Sequence, residues 1–317
     1  MIAFSKPTIT EEEIEAAAAV MRSGWLAAGP ETEAFEQEFA EYVGVKHAIF
    51  TNSCTSALKM AYKYLLETDS GAYIHYPENT FCATYSAAIE MGLESFPRAA
   101  DGSTLNREDK WLAKYRVNMA YGSIKDENPC FIEDSAHRIE PNDPLVGKIR
   151  CYSFYTTKNM TTSGAGGMLV TNDEEIYKTC RTYWRDGLTT TTLDRQSGPV
   201  DYEVVAMAGG YDSTDVAAAV GRTQLRKLPD FTRRRNQIRE RYNAAFGTEW
   251  AGNHLFCLDL GSPSRVSECR KYLWELGIGS GYHYPGTGWT KISLPIYPLL
   301  TDDEQDIVIR SVKSFLA

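Results

Sequence analysis

Long apolar runs are missing from this 317-residue chain. No stretch approaches the ~18 consecutive apolar residues that cross a bilayer. The opening segment, MIAFSKPTITEEEIE, has no apolar core of signal-peptide type. A membrane partner is therefore not expected, and a cytoplasmic location is. Positive charge is also scarce: the formal net charge is -9 and the pI about 5.2. A nucleic-acid binder carries the opposite balance or a basic stripe. The one basic cluster, Arg233 to Arg235 with Arg239 and Arg241, is spread along a helical stretch and reads as a solvated face or a phosphate contact. The seven cysteines are odd in number and scattered, without a CxxC pair, which argues against a zinc site and a disulfide framework. No internal repeat is visible.

What remains is ordinary globular composition, 43% hydrophobic and 24% charged, long enough for a large core and a second small one. Apolar strand-like runs alternate with helical stripes through the first two thirds. Helices are expected over 11–22, 31–42, 57–66, about 82–91, 174–184, 215–225, from after Pro229 to 246, over 264–276 and over 301–316. Thr10 with Glu13 and Thr301 with Glu304 have the spacing of capping boxes. Strands are expected over 45–50, 72–76, 93–96, 117–119, 130–134, 151–154, 168–170 and 254–260, with a glycine-rich turn into a strand over 277–284. Residues 98–125 read as polar and irregular, and 185–204 as a mobile loop. The alternation predicts a mostly parallel sheet flanked by helices, followed by a smaller α/β domain, with the boundary at 228/229.

The stretch CYSFYTTKNMTTSGAGGMLVT, residues 151–171, places one lysine, Lys158, between a strand and a glycine turn. A desolvated lysine amine loses its proton more readily and becomes a nucleophile for aldehydes and ketones. Most lysines are solvated charges, so other residues must single this one out. Thr51 to Ser56 follow a strand and open a helix, where free N–H groups and the helix dipole favour a phosphate; a plain serine cap is the simpler account. Asp134 ends a strand, where α/β sheets keep their chemistry. With His137 it suggests a metal, although no third ligand lies nearby in sequence and an acid capping a turn explains it as well. Phosphate cradle, strand-end acid and loop lysine together match the needs of pyridoxal 5'-phosphate (PLP): N–H groups and hydroxyls for the phosphate, a carboxylate for the ring nitrogen, an amine for the aldehyde.

The order and wording of these pieces resemble the DegT/DnrJ/EryC1/StrS family of sugar aminotransferases, fold type I. The resemblance is carried by Gly24-Trp25, Gly29-Pro30, Tyr42 to Ala48, Asn52 to Leu58, Glu133-Asp134-Ser135-Ala136-His137, Ser153 to Asn159, Gly166-Gly167-Met168, Gly277 to Pro285 and Leu294 to Pro298. It covers nearly the whole chain. It implies a seven-stranded, mostly parallel sheet, PLP as cofactor, and Lys158 as the residue that bonds the cofactor and shuttles the proton. It further implies Asp134 at the ring nitrogen, His137 beside the ring or its phenolic oxygen and Phe81 on the ring face. Thr55, Ser56 and Ser153 would hold the phosphate, and no metal would take part. The implied partners are an amino donor such as glutamate, a keto group on a nucleotide-linked sugar, and a second copy of the chain. The chain departs from the family at Ala165, where an acid usually precedes the paired glycines. It departs again at Gly210 and Asp212, the positions at which the family lends phosphate contacts to the partner subunit. Segments after Leu93 and after Pro285 are shortened. Related sugar dehydratases carry histidine in place of the lysine, so Lys158 argues against that branch. A catalytically reduced binding or partner-subunit protein is the other reading that the departures raise.

Overall fold

A computed structural model describes residues 1–98, 115–119, 131–284 and 288–317 of the protein. The elements in order are α1 (Glu11–Ser23), α2 (Pro30–Val43), β1 (His47–Thr51), α3 (Cys54–Thr68), β2 (Tyr73–Pro77), α4 (Cys82–Glu90), β3 (Glu94–Arg98), β4 (Tyr115–Met119), β5 (Ile132–Asp134), β6 (Ile149–Ser153) and β7 (Gly167–Thr171). They continue with α5 (Glu174–Trp184), α6 (Thr192–Ser197), α7 (Asp215–Phe246), β8 (Phe256–Asp259), α8 (Pro263–Glu275), β9 (Lys291–Leu294) and α9 (Asp302–Leu316).

Seven strands form one sheet in the order β1-β7-β6-β5-β4-β2-β3. The ladder is parallel from β3 to β6, and β7 runs antiparallel to both β6 and β1. Six strands therefore point the same way and β7 alone is reversed. The C-terminal ends of β1, β5 and β6 share one edge, and β7 begins there. Strands β6 and β7 are buried at every position, so neither shows an apolar–polar alternation; the one charge in them, Arg150, is buried and paired with Glu133 and Asp143. One face of the sheet packs on α3, with Leu58, Ala61 and Tyr62 against Ile49, Ile74 and Leu169. The other face buries Phe35, Phe39, Phe50, Tyr152 and Phe154, several of them in edge-to-face aromatic pairs.

A further apolar cluster gathers the C-terminal elements, with Ile238, Tyr242, Phe256, Leu273, Ile292 and Val308 buried together with Ile2 from the start of the chain. Its two strands, β8 and β9, are antiparallel. The caps read from the sequence are in place. Thr10 with Glu13, and Thr301 with Glu304, form reciprocal capping boxes. Asp215, at the first turn of α7, accepts from the N–H groups of Gly29, Glu31 and Thr32 at 2.7, 3.1 and 2.9 Å and from the Thr32 hydroxyl at 2.7 Å. This buried carboxylate ties the Gly29-Pro30 turn and the start of α2 to α7 and satisfies the helix's open donors.

Four expectations need correction. The two helices separated at Pro229 are one 32-residue helix, α7. A proline inside a helix costs about 3 kcal/mol; here Leu225, Leu228 and Phe231 bury apolar surface on either side of it, which offsets the loss. The strand expected over 277–284 is reduced to two isolated bridges, Ile278 to Ile2 and Gly281 to Ser293, and the strand of this region is β9. The loop over 185–204 is not featureless: it carries α6, capped reciprocally by Thr191 and Asp194, and a bridge between Leu188 and Val204. The arginine cluster is not one solvated face. Arg233 is exposed beside Asp230, Arg234 bonds Asp302 and the Leu300 carbonyl, but Arg235 is buried. Of the irregular region over 98–125, Arg98 belongs to β3 and residues 115–119 to β4, whereas residues 99–114 and 120–125 lie outside the described residues, as does Cys130.

Candidate active site

At the shared strand edge lies a cavity of about 430 Å3. Its wall includes Thr55 from α3, Phe81 from the turn before α4, Asp134 from the end of β5, His137 just beyond it, Ser153 from the end of β6, and Lys158 from the loop that follows. Six of the seven residues singled out from the sequence therefore meet in one cavity. Ser56 does not line it; its hydroxyl lies 2.5 Å from Asn52 Oδ1 and 3.0 Å from the Ser53 hydroxyl. It backs the turn instead of facing the cavity.

The anion cradle is built by close approach. Ser53 caps α3, its hydroxyl accepting from the Ser56 N–H at 3.1 Å. Gly167 pairs with Thr51 on one side and Ser153 on the other, at the point where β7 begins. A Cβ on Gly167 would sit 2.4 Å from the Cys54 nitrogen and 2.6 Å from the Ser53 carbonyl oxygen. The first glycine of the pair, Gly166, is required for a related reason: a Cβ there would lie 2.0 Å from the Thr162 hydroxyl oxygen. Substituting Gly167→Ala pushes β7 away from the start of α3. We expect a destabilisation of about 1–3 kcal/mol, read as a lower Tm, together with weaker PLP binding in a fluorescence titration.

Asp134 is buried, and its carboxylate accepts from the Thr84 hydroxyl at 2.8 Å and from the Ala136 N–H at 3.1 Å. Thr84 is in turn 2.8 Å from the Thr80 hydroxyl. Burial raises the Asp134 pKa above the ordinary aspartate value, while the two hydrogen bonds and the charge of Lys158 work against that rise. Burial drives the Lys158 amine the other way, below the ordinary lysine value, with Asp134 opposing. The two groups thus share a low-dielectric site, and the lysine is set to give up its proton. The Cys54 thiol beside them is kept protonated by burial. It offers no thiolate nucleophile.

Among the wall residues not singled out from the sequence are two rings, Phe4 and His254, and Tyr284 was named there only within the Gly277 to Pro285 phrase. His283, named there only as part of a phrase, is the fourth ring of the group. The His137 and His254 rings lie 4.6 Å apart, and His283 packs near His137 and Phe4 at 6.5 and 5.9 Å. Burial and the nearby Lys158 charge hold the imidazoles down, His283 to about 4. At neutral pH they are uncharged rings, suited to packing against a flat ligand. No cluster of metal-ligating side chains occurs among the described residues. Thr84, which fixes Asp134, also went unrecognised; its only sequence signal is its place one helical turn into α4 after the Asn79-Thr80-Phe81 turn.

An anion cradle, a strand-end carboxylate, a flanking aromatic ring and a lysine of lowered basicity on one edge of this sheet define a PLP-dependent enzyme of fold type I. The comparisons agree. The sequence model of the DegT/DnrJ/EryC1/StrS aminotransferase family matches residues 7–114 and 126–254, and the chain belongs to that family. It is a PLP-dependent aminotransferase. The spore coat polysaccharide biosynthesis protein SpsC of Bacillus subtilis is 30% identical, with 99% of this chain and 96% of that protein covered. That alignment runs over 377 positions, more than this chain has residues, so segments of SpsC have no counterpart here. Among solved structures, PseC of Helicobacter pylori, an aminotransferase involved in the biosynthesis of pseudoaminic acid, gives a TM-score of 0.87 at 22% identity over 99% of this chain and 98% of that one. The aminotransferase TlmJ from Streptoalloteichus hindustanus gives 0.84 at 26% identity over 100% and 99%.

Proposed function

We propose that this enzyme moves an amino group from glutamate, or a similar donor, to a keto group on a nucleotide-linked sugar. The observation that carries the reading is the meeting of Lys158 and Asp134 in one cavity with the Ser53–Thr55 turn at its edge. The likeness to SpsC, a polysaccharide biosynthesis protein, supports a sugar as acceptor. When bound, PLP supplies an electron sink for the substrate carbon. The chain's own residues do the rest. Lys158 bonds the cofactor and carries the proton at the reacting carbon. Asp134 holds the ring nitrogen, and Thr55 and Ser153, with Ser56 behind them, hold the phosphate. Phe81 and His137 flank the ring. No helix among the described residues is long and apolar enough to cross a membrane, and we place the enzyme in the cytoplasm.

We further propose a homodimer with the site at its interface. Phe81 and Tyr155 line the cavity yet are 58% and 55% exposed, and Val204, Val205 and Met207 are exposed on the segment leading to Gly210. A second copy would cover such apolar groups. The cluster of C-terminal elements supports a small domain over 229–317 beside a large one over 1–228, with α7 running through both.

The test is direct. Purified protein loaded with PLP is mixed with glutamate and then with a panel of keto-sugar nucleotides, and visible absorbance and product mass are followed. Glutamate is expected to shift the cofactor band, and one keto-sugar to restore it with gain of an amine. An unchanged spectrum with every donor, alongside tight binding of a sugar nucleotide, would favour a binding protein.

A further inference from the structure

We infer that Arg235 is a positioning residue for Lys158, reaching it from α7 through the backbone of the lysine loop. Arg235 is 5% exposed. Its Nη1 donates to the Asn159 carbonyl at 3.0 Å and its Nη2 to the Lys158 carbonyl at 3.3 Å. No carboxylate pairs with it among the described residues. That is an unusual setting, because a buried guanidinium is normally balanced by an acid.

The choice of acceptors has a chemical consequence. A carboxylate in this place would neutralise the arginine, but it would also put a second negative charge behind the Lys158 amine. An opposite charge within a few ångströms favours the protonated amine, and a protonated amine is not a nucleophile. Carbonyl oxygens hold the guanidinium without adding net negative charge. They leave Asp134 as the carboxylate that, among the described residues, acts on the lysine from within the cavity. The planar fork of the arginine also spans two successive carbonyls, which a lysine ammonium, a single point charge, does less well.

The loop needs such a hold. At its base the loop is closed by the Phe154 N–H to Gly166 carbonyl bond and by the Phe154 carbonyl, which accepts from the Thr162 N–H and the Thr161 hydroxyl; beyond Phe154 it turns through the Lys158 N–H to Tyr155 carbonyl bond. On the α7 side, the two bonds from Arg235 fix residues 158 and 159. Asn159 Nδ2 adds a longer contact of 3.3 Å to Asn253. Because α7 also contributes to the C-terminal cluster, Arg235 links the lysine loop to both cores.

The experiment compares wild type with Arg235→Met and Arg235→Lys, using hydrogen exchange of the cofactor-free protein over residues 155–161 and steady-state kinetics of the loaded one. Arg235→Met is expected to speed exchange in that loop by about tenfold or more while α8 and α9 keep wild-type protection, as a local opening does. It is expected to lower kcat by about tenfold or more with the donor KM within about twofold, the pattern of a misplaced reacting group. Arg235→Lys falls between the two, and if Arg235→Met does not fold, the loop exchange of Arg235→Lys carries the test. Unchanged loop exchange, or an even rise of exchange across α7, α8 and α9, would overturn the inference and mark Arg235 as ordinary packing.

Discussion

Lys158→Ala is expected to lose transamination by about 10^4-fold or more while binding PLP only weakly. Two losses combine. In the role proposed for it, the amine would be both the covalent hold on the cofactor and the side chain that carries a proton at the reacting carbon. Its basicity is already reduced by burial, so its proton is given up more readily than that of a solvated lysine. No neighbour can take over. The three imidazoles around the cavity are held down chiefly by burial, which the variant leaves in place, and the Cys54 thiol is held up by burial. In the variant the characteristic visible band is absent, and borohydride treatment no longer fixes the cofactor to the chain. Methylamine added to the variant supplies a small base to the vacated space and is expected to restore part of the rate. Wild-type absorbance in Lys158→Ala would sink the assignment, because it would mean another amine bonds the cofactor. Arg235→Met separates from this result: it retains the band and loses rate.

Much of this site could be read from the chain because its pieces are local. A strand end, a turn and a helix start each leave a short signature, and Lys158, Asp134 and the Ser53–Thr55 turn fell at such points. The sheet was legible for the same reason: apolar runs mark β7 and the second half of β6, whereas Arg150, buried against Glu133 and Asp143, hid the first half. What escaped depends on contacts between distant segments. Nothing within the Thr84 neighbourhood announces that its hydroxyl will meet a carboxylate 50 positions later. The arginine cluster looked uniform in sequence, and only the packing of α7 against the lysine loop sets Arg235 apart from Arg233. Pro229 misled because its local cost is real, and tertiary burial on both flanks outweighs it. The strand expected over 277–284 fails because its pairings go to two different segments, Ile278 to Ile2 and Gly281 to Ser293, and neither extends into a ladder.

Asp134→Asn carries the second large effect, and it has opposite signs with and without cofactor. In the cofactor-free protein the carboxylate is buried and its pKa is raised, so keeping it ionised at neutral pH costs stability. A group whose folded pKa lies above its unfolded value destabilises the folded state once pH exceeds the unfolded value. The penalty therefore holds at pH 7 and fades as pH falls through the aspartate range. Asparagine removes the charge and can keep the local bonds: its oxygen accepts from the Ala136 N–H, and its amide donates to Thr84, whose hydroxyl then turns to Thr80. The variant is expected to melt at or above the wild-type temperature when cofactor-free. Loaded with PLP the order is expected to reverse, because in the role proposed for it the wild-type carboxylate would gain a cationic partner at the ring nitrogen and asparagine would not. The same loss is expected to lower kcat by about 10^2-fold or more, since a ring without a stabilised proton withdraws electrons poorly. Melting curves of both proteins with and without PLP at pH 7 decide it. A variant that is less stable in both states would show that Asp134 serves the fold, and that the ring nitrogen finds its partner elsewhere.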